Sequence, residues 1–97
     1  MRFKERDLEA FWVDCGRFKP RRVPSELRKS LFRKLQMLDA AEASGSLNDL
    51  RVPPSNHLER MSGDREGLYS IRVNRQWRLC FTWTAHGIEG IELVDYR

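Results

Sequence analysis

Leu68-Tyr69-Ser70-Ile71-Arg72-Val73-Asn74-Arg75-Gln76-Trp77-Arg78-Leu79-Cys80-Phe81-Thr82-Trp83 is the stretch whose reading decides the fold. Apolar residues recur at every second position, as Tyr69, Ile71 and Val73 in one run and Trp77, Leu79, Phe81 and Trp83 in the next. A period of two marks strands with one buried face. The polar residues Asn74-Arg75-Gln76 between the runs read as a turn, and the length of that turn sets the register. A three-residue turn centred on Arg75 pairs Val73 with Trp77 and Ile71 with Leu79, which keeps the apolar faces together; a two-residue turn mixes them. The same register sets Arg72 directly opposite Arg78.

Working outward, strands are predicted over 68–74, 76–84 and 88–96, the last two joined by Ala85-His86-Gly87. In the last strand Ile91 and Leu93 fit the core face, which leaves Glu92, Val94 and Tyr96 on the other. Upstream the period is helical. Leu8, Phe11 and Trp12 stand at i, i+3 and i+4 before a stop near Gly16, and a short edge strand around Phe3 precedes them. After the basic connection 17–22, Val23-Pro24-Ser25-Glu26 opens a second helix. Its stripe is Leu27, Leu31, Leu35 and Leu38, with Lys29, Arg33 and Lys34 expected on other faces, and Ser44-Gly45-Ser46 ends it. Residues 47–56 contain Pro53-Pro54 and read as a loop with one turn around Leu47–Leu50. The expected architecture is α+β, with two N-terminal helices packed on one face of a small, mainly antiparallel sheet.

A chain of 97 residues has room for one domain, 1–97, and one core. No apolar run nears the roughly 18 residues of a membrane span. The start, Met1-Arg2-Phe3-Lys4-Glu5-Arg6-Asp7, lacks the apolar stretch of a signal peptide, so the expected location is the cytoplasm. Cys15 and Cys80 have no spacing that suggests zinc or a disulfide framework and read as free thiols used as small apolar residues. His57 and His86 have no companion ligands nearby in sequence, so neither a metal nor another cofactor is expected. Trp12, Trp77 and Trp83 each lie in an apolar stripe and are assigned to the core. The net charge of +4 favours a polyanionic partner, but placement of the charges has to decide.

That placement centres on Arg72 and Arg78. Two guanidiniums facing each other across neighbouring strands repel, by some tenths of a kcal/mol or more. A bound anion relieves the repulsion, and the planar arginine fork matches phosphate oxygens. On the residues alone the pair reads equally well as an anion site or as a solvated face stitched to Glu92 or Asp95. Arg65, in Gly63-Asp64-Arg65-Glu66-Gly67, is a further candidate, although a charged turn between glycines is ordinary loop chemistry.

The run from Ser62 to Phe81, with its Ser70-Ile71-Arg72-Val73-Asn74 and Gln76-Trp77-Arg78 segments, and the terminal Val94-Asp95-Tyr96 resemble the HigB branch of the RelE toxin superfamily. The similarity extends over essentially the whole chain. It implies a toxin that cleaves mRNA in the ribosomal A site, without a metal, and that a helix-turn-helix antitoxin of HigA type silences. Implied partners are therefore that antitoxin, the 70S ribosome and mRNA, with operator DNA reached only through the antitoxin. Carried over by position, Arg72 and Arg78 hold the scissile phosphate, Tyr96 and Asp95 lie at the same site, and Arg65, Arg75 and Arg97 contact RNA. Relatives on the same fold include toxins that inhibit DNA gyrase without catalysis, and a ribosome-binding module is a third expectation.

The chain also departs from the family pattern. Many relatives end in Asp-Tyr-His and carry a lysine before the Gly-Asp turn and a histidine shortly before that; Arg97, Ser62 and Glu59 stand at those places. Arginine does not titrate near neutrality and is a poor proton carrier. Attenuated activity is the expected consequence, with the general base left to Asp95, Glu92 or Tyr96.

Overall fold

The computed structural model describes residues 1–61 and 67–95. Four strands form one sheet in the order β1 (Glu59–Arg60), β2 (Leu68–Arg72), β3 (Trp77–Thr84) and β4 (Gly87–Asp95), each antiparallel to its neighbour. The edge segment expected around Phe3 is present as a parallel bridge to Ile91. Arg2 and Lys4 donate their backbone N–H groups to the carbonyls of Ile88 and Ile91, both at 2.9 Å. The outer edge of β4 is thereby covered, which removes a row of open backbone groups.

One long helix, α2 (Arg28–Ser44, 17 residues), lies over the sheet, entered through a 3-10 turn at Ser25–Leu27. Leu27, Leu31, Leu35, Leu38 and Ala41 form its buried stripe. It ends at Gly45, whose left-handed φ of 71° is readily adopted by glycine, and the Gly45 and Ser46 N–H groups both reach back to the Ala41 carbonyl.

The expected pair of packed helices is corrected here. The first helical pattern makes only α1 (Arg6–Val13), eight residues long, which leans on α2 through Phe11 and Phe32 at 5.8 Å between ring centroids and Trp12 and Phe32 at 5.3 Å. The apolar periodicity lasts two turns before Asp14-Cys15-Gly16 breaks it, too short a helix to make a second layer. No helix among the described residues is long and apolar enough to cross a membrane.

Local packing brings one further correction and one feature with no sequence expectation. Lys34 lies within the buried stripe, 9% exposed, because it stands three residues after Leu31 and four before Leu38. Ile88 and Ile91 both enter the core although three residues apart. A bulge at Gly90 (φ 64°), where the β3 step from Cys80 to Thr82 meets the longer β4 step from Glu92 to Glu89, allows this.

Arg22 braces the start of the chain against β4. Its Nε donates to Asp7 at 2.9 Å, one Nη to Glu5 at 2.6 Å and the other to the Leu93 carbonyl at 3.0 Å, while the Leu93 N–H donates to Glu5 at 2.8 Å. The hydrogen bond from Arg22 holds the Asp7 carboxyl below its ordinary value of 3.8. Folding is therefore stabilised by ionised Asp7 above that value, and the contribution fades as pH falls through the lower folded value. The stability gap between the wild type and Asp7→Asn, measured by denaturant unfolding, is expected to shrink between about pH 5 and pH 2. A gap equal at both ends would contradict this assignment.

Candidate functional site

The turn between β2 and β3 is built by Asn74, whose Oδ1 accepts the N–H groups of Gln76 at 2.9 Å and Trp77 at 2.8 Å. The Val73 N–H donates to the Trp77 carbonyl at 2.9 Å, and the ladder continues with Arg72 opposite Arg78 and Ile71 opposite Leu79. This is the register read from the three-residue turn. Because Ile71 and Leu79 are fully buried in the core, Arg72 and Arg78 lie together on the face turned away from α2.

The two arginines differ in setting. Arg78 is only 6% exposed. Its Nε donates to Ser70 Oγ at 3.0 Å, and one Nη donates to the His57 carbonyl at 2.7 Å and stands 3.9 Å from a Glu59 carboxylate oxygen. Their mutual repulsion is thus offset at Arg78 by carbonyl and hydroxyl oxygens and a nearby carboxylate. Arg72 is half-buried and has no hydrogen bond or ion pair among the described residues. One guanidinium is held in place and the other is open to a ligand.

The oxygen that holds Arg78 is itself positioned from α2. Lys34 donates its ammonium to Asn56 Oδ1, and Asn56, fully buried, donates Nδ2 to the carbonyls of Leu50 at 3.2 Å and Val52 at 3.4 Å. Burial chiefly, with the charge of Arg33, pushes the Lys34 pKa down. The buried amide sets the path of the chain leading to His57 (φ 43°), whose carbonyl then faces Arg78.

The other predicted residues divide. Asp95 pairs with Trp77, so the ladder assigns it to the helix side of the sheet, and its carboxylate accepts from Gln76 Nε2 at 3.0 Å. The register does not bring Asp95 onto the face of Arg72 and Arg78. Arg75 is exposed at the turn. Arg65, Tyr96 and Arg97 lie outside the described residues. Glu92 sits opposite Cys80, on the arginine face, and is paired with Lys4 at 2.8 Å. Along this face runs a cavity of about 320 Å³ whose lining includes Met61, Leu68, Cys80, Thr82 and Val94. Burial, with Glu92 secondary, raises the Cys80 thiol pKa, which keeps it protonated. Cys15, by contrast, is exposed and contributes nothing to the core.

Sequence reasoning missed Ser70 and Asn56 altogether, and it missed the part that His57, Glu59 and Lys34 play in holding Arg78. Ser70 could have been found, since it shares strand parity with Arg72. The His57 contribution is a backbone carbonyl, to which side-chain identity gives no clue.

The site thus offers two adjacent guanidiniums on an otherwise mixed surface, an arrangement suited to two oxygens of one anion. The family described as the RelE-like toxin of the type II toxin–antitoxin system HigB matches residues 1–97. Toxin HigB-1 of Vibrio cholerae serotype O1 is 44% identical over 96 residues, covering 99% of this chain and 92% of that protein. An uncharacterized protein of Haemophilus influenzae is 43% identical over 72 residues, covering 74% of this chain and 68% of that one. Whole-length agreement at this identity places the chain in the HigB family of RelE-like toxins of type II toxin–antitoxin systems.

Proposed function

We propose that this toxin is a ribosome-dependent endoribonuclease that cuts mRNA in the A site and so stops translation. The observation that supports this reading best is the pairing of Arg72 with Arg78 on the sheet face away from α2. RNA carries its own nucleophile. The ribose 2′-hydroxyl attacks the adjacent phosphorus, the bond to the 5′ oxygen breaks, and a 2′,3′-cyclic phosphate and a 5′-hydroxyl result. The protein has to align these groups and stabilise the charge that grows on the phosphate oxygens. Arg78, fixed by Ser70 and the His57 carbonyl, holds one oxygen in a set direction, and Arg72 closes on the second.

In this reading Arg75, Arg65 and Arg97 draw in the RNA backbone, Tyr96 reaches the scissile nucleotide, and Asp95 orients the chain end that carries Tyr96. As a type II toxin the protein pairs with an antitoxin, here proposed to be of the helix-turn-helix HigA type, with operator DNA bound only through it. The cytoplasm, where 70S ribosomes and message meet, is the proposed location. Primer extension on a translated message tests the activity. Cuts that require ribosomes are expected, whereas gyrase inhibition with intact message, or arrest with intact message, would replace this reading.

Arg97 stands where many relatives have a proton-carrying histidine. Arg97→His is therefore expected to increase growth arrest on induction, read as a lower plating efficiency at equal expression. Equal or weaker arrest would remove Arg97 as the cause of attenuation.

A further inference from the structure

Attack by a 2′-hydroxyl needs a group to take its proton, and that group must sit within a few ångströms of the guanidinium that holds the phosphate. Among the described residues, the strands that flank the arginine pair carry the carboxylates Asp95, Glu92 and Glu59, and their surroundings separate them. Asp95 belongs to the opposite side of the ladder and is engaged by Gln76. Glu92 lies on the correct face but is paired with Lys4 at 2.8 Å. Glu59 pairs across β1 and β2 with Ser70, the residue whose hydroxyl holds Arg78, and so faces the same way. Its carboxylate stands 3.9 Å from Arg78, beyond hydrogen-bond reach, and its side chain is 55% exposed. It is near the guanidinium, open to solvent and only loosely engaged by it.

We infer that Glu59 is the general base of the cleavage, an assignment that rests on the endoribonuclease reading above. Glu59 accepts the proton of the 2′-hydroxyl as the O2′–P bond forms. The P–O5′ bond breaks with its electron pair leaving on the 5′ oxygen, which takes a proton from water, and protonated Glu59 returns its proton to the hydroxide so formed. No co-reactant is consumed. The exposure of the side chain also means that changing it leaves the fold intact, so its chemical role can be tested directly.

The test is single-turnover cleavage of a ribosome-bound message by wild type, Glu59→Gln and Glu59→His, across a pH series, with the melting temperature of each protein measured alongside. Glutamine preserves shape and an acceptor oxygen for Arg78 but cannot take the proton. Glu59→Gln is expected to lower the cleavage rate about 100-fold or more, at unchanged KM and melting temperature. Glu59→His is expected to recover much of that rate, with the acid limb of the profile moved to higher pH, because an imidazole is a stronger base than a carboxylate. Cleavage by Glu59→Gln within about threefold of wild type, a loss confined to KM, or an unmoved limb in Glu59→His would each overturn the assignment while leaving the endoribonuclease reading standing. Absence of cutting by the wild type itself would overturn both.

Discussion

Arg78→Lys is expected to lose about 100-fold or more in cleavage rate while keeping its positive charge. The loss follows from geometry. Lysine supplies a point charge on a flexible stem and has no Nε to donate to Ser70, so it cannot present a planar fork in a fixed direction while also bonding the His57 carbonyl. Single-turnover cleavage with a melting curve checks it; a lysine variant that cuts at the wild-type rate would show that charge alone is sufficient. Arg78→Ala is expected to lose the same activity and, in addition, about 1–3 kcal/mol of stability, because the Ser70 hydroxyl and the His57 carbonyl lose their donor. Arg72 provides the contrast. Without a polar partner among the described residues, it is expected to affect cleavage and hardly the fold.

The second large effect is on stability. Asn56→Ala removes the acceptor of the buried Lys34 ammonium and the donor to two loop carbonyls at once. A charge left buried without a partner is among the most damaging single changes, so a loss of about 3 kcal/mol or more is expected. That is a large part of the ~5–15 kcal/mol that separates folded from unfolded states in a domain of this kind. Adding Lys34→Met removes the stranded charge and is expected to restore a substantial share of the stability, measured by urea unfolding of the two single variants and the double variant. Strict additivity, or a cost below about 1 kcal/mol for Asn56→Ala, would show that the pair does not carry this part of the fold. The same variant bears on the site, because Asn56 directs the segment whose His57 carbonyl meets Arg78.

The register of β2 and β3 was legible because a single turn length was compatible with both apolar faces, and the pairs Ile71–Leu79 and Arg72–Arg78 and the Val73–Trp77 hydrogen bond obey it. The long helix was legible from its leucine spacing. Lys34 defies the expectation its charge raises, because its spacing from Leu31 and Leu38 places it in the buried stripe. The bulge at Gly90 was marked only by two isoleucines three apart, a pattern with no single strand meaning. β1 is two charged residues long and has no periodicity to detect.

For the site, strand parity identified Arg72 and Arg78 as neighbours but said nothing of depth. Arg78 is buried because a loop distant in sequence lays a carbonyl and a carboxylate against it, and that loop is set by a polar bond to α2. Glu59 was visible in the sequence as a departure from the family pattern, but its place beside Arg78 was not, because its partner in the sheet, Ser70, is 11 residues away. The placement of Asp95 on the helix side follows directly from its pairing with Trp77 and could have been read from the same parity rule.

In the proposed function, the sheet face bearing Arg72 and Arg78 stabilises the phosphate through the cleavage step. Single-turnover cleavage of a ribosome-bound message by Arg72→Ala, with its melting temperature, tests it most directly, since this arginine has no described role in the fold. A fall of about 100-fold or more in rate at an unchanged melting temperature is expected. Cleavage at the wild-type rate by that folded variant would contradict it.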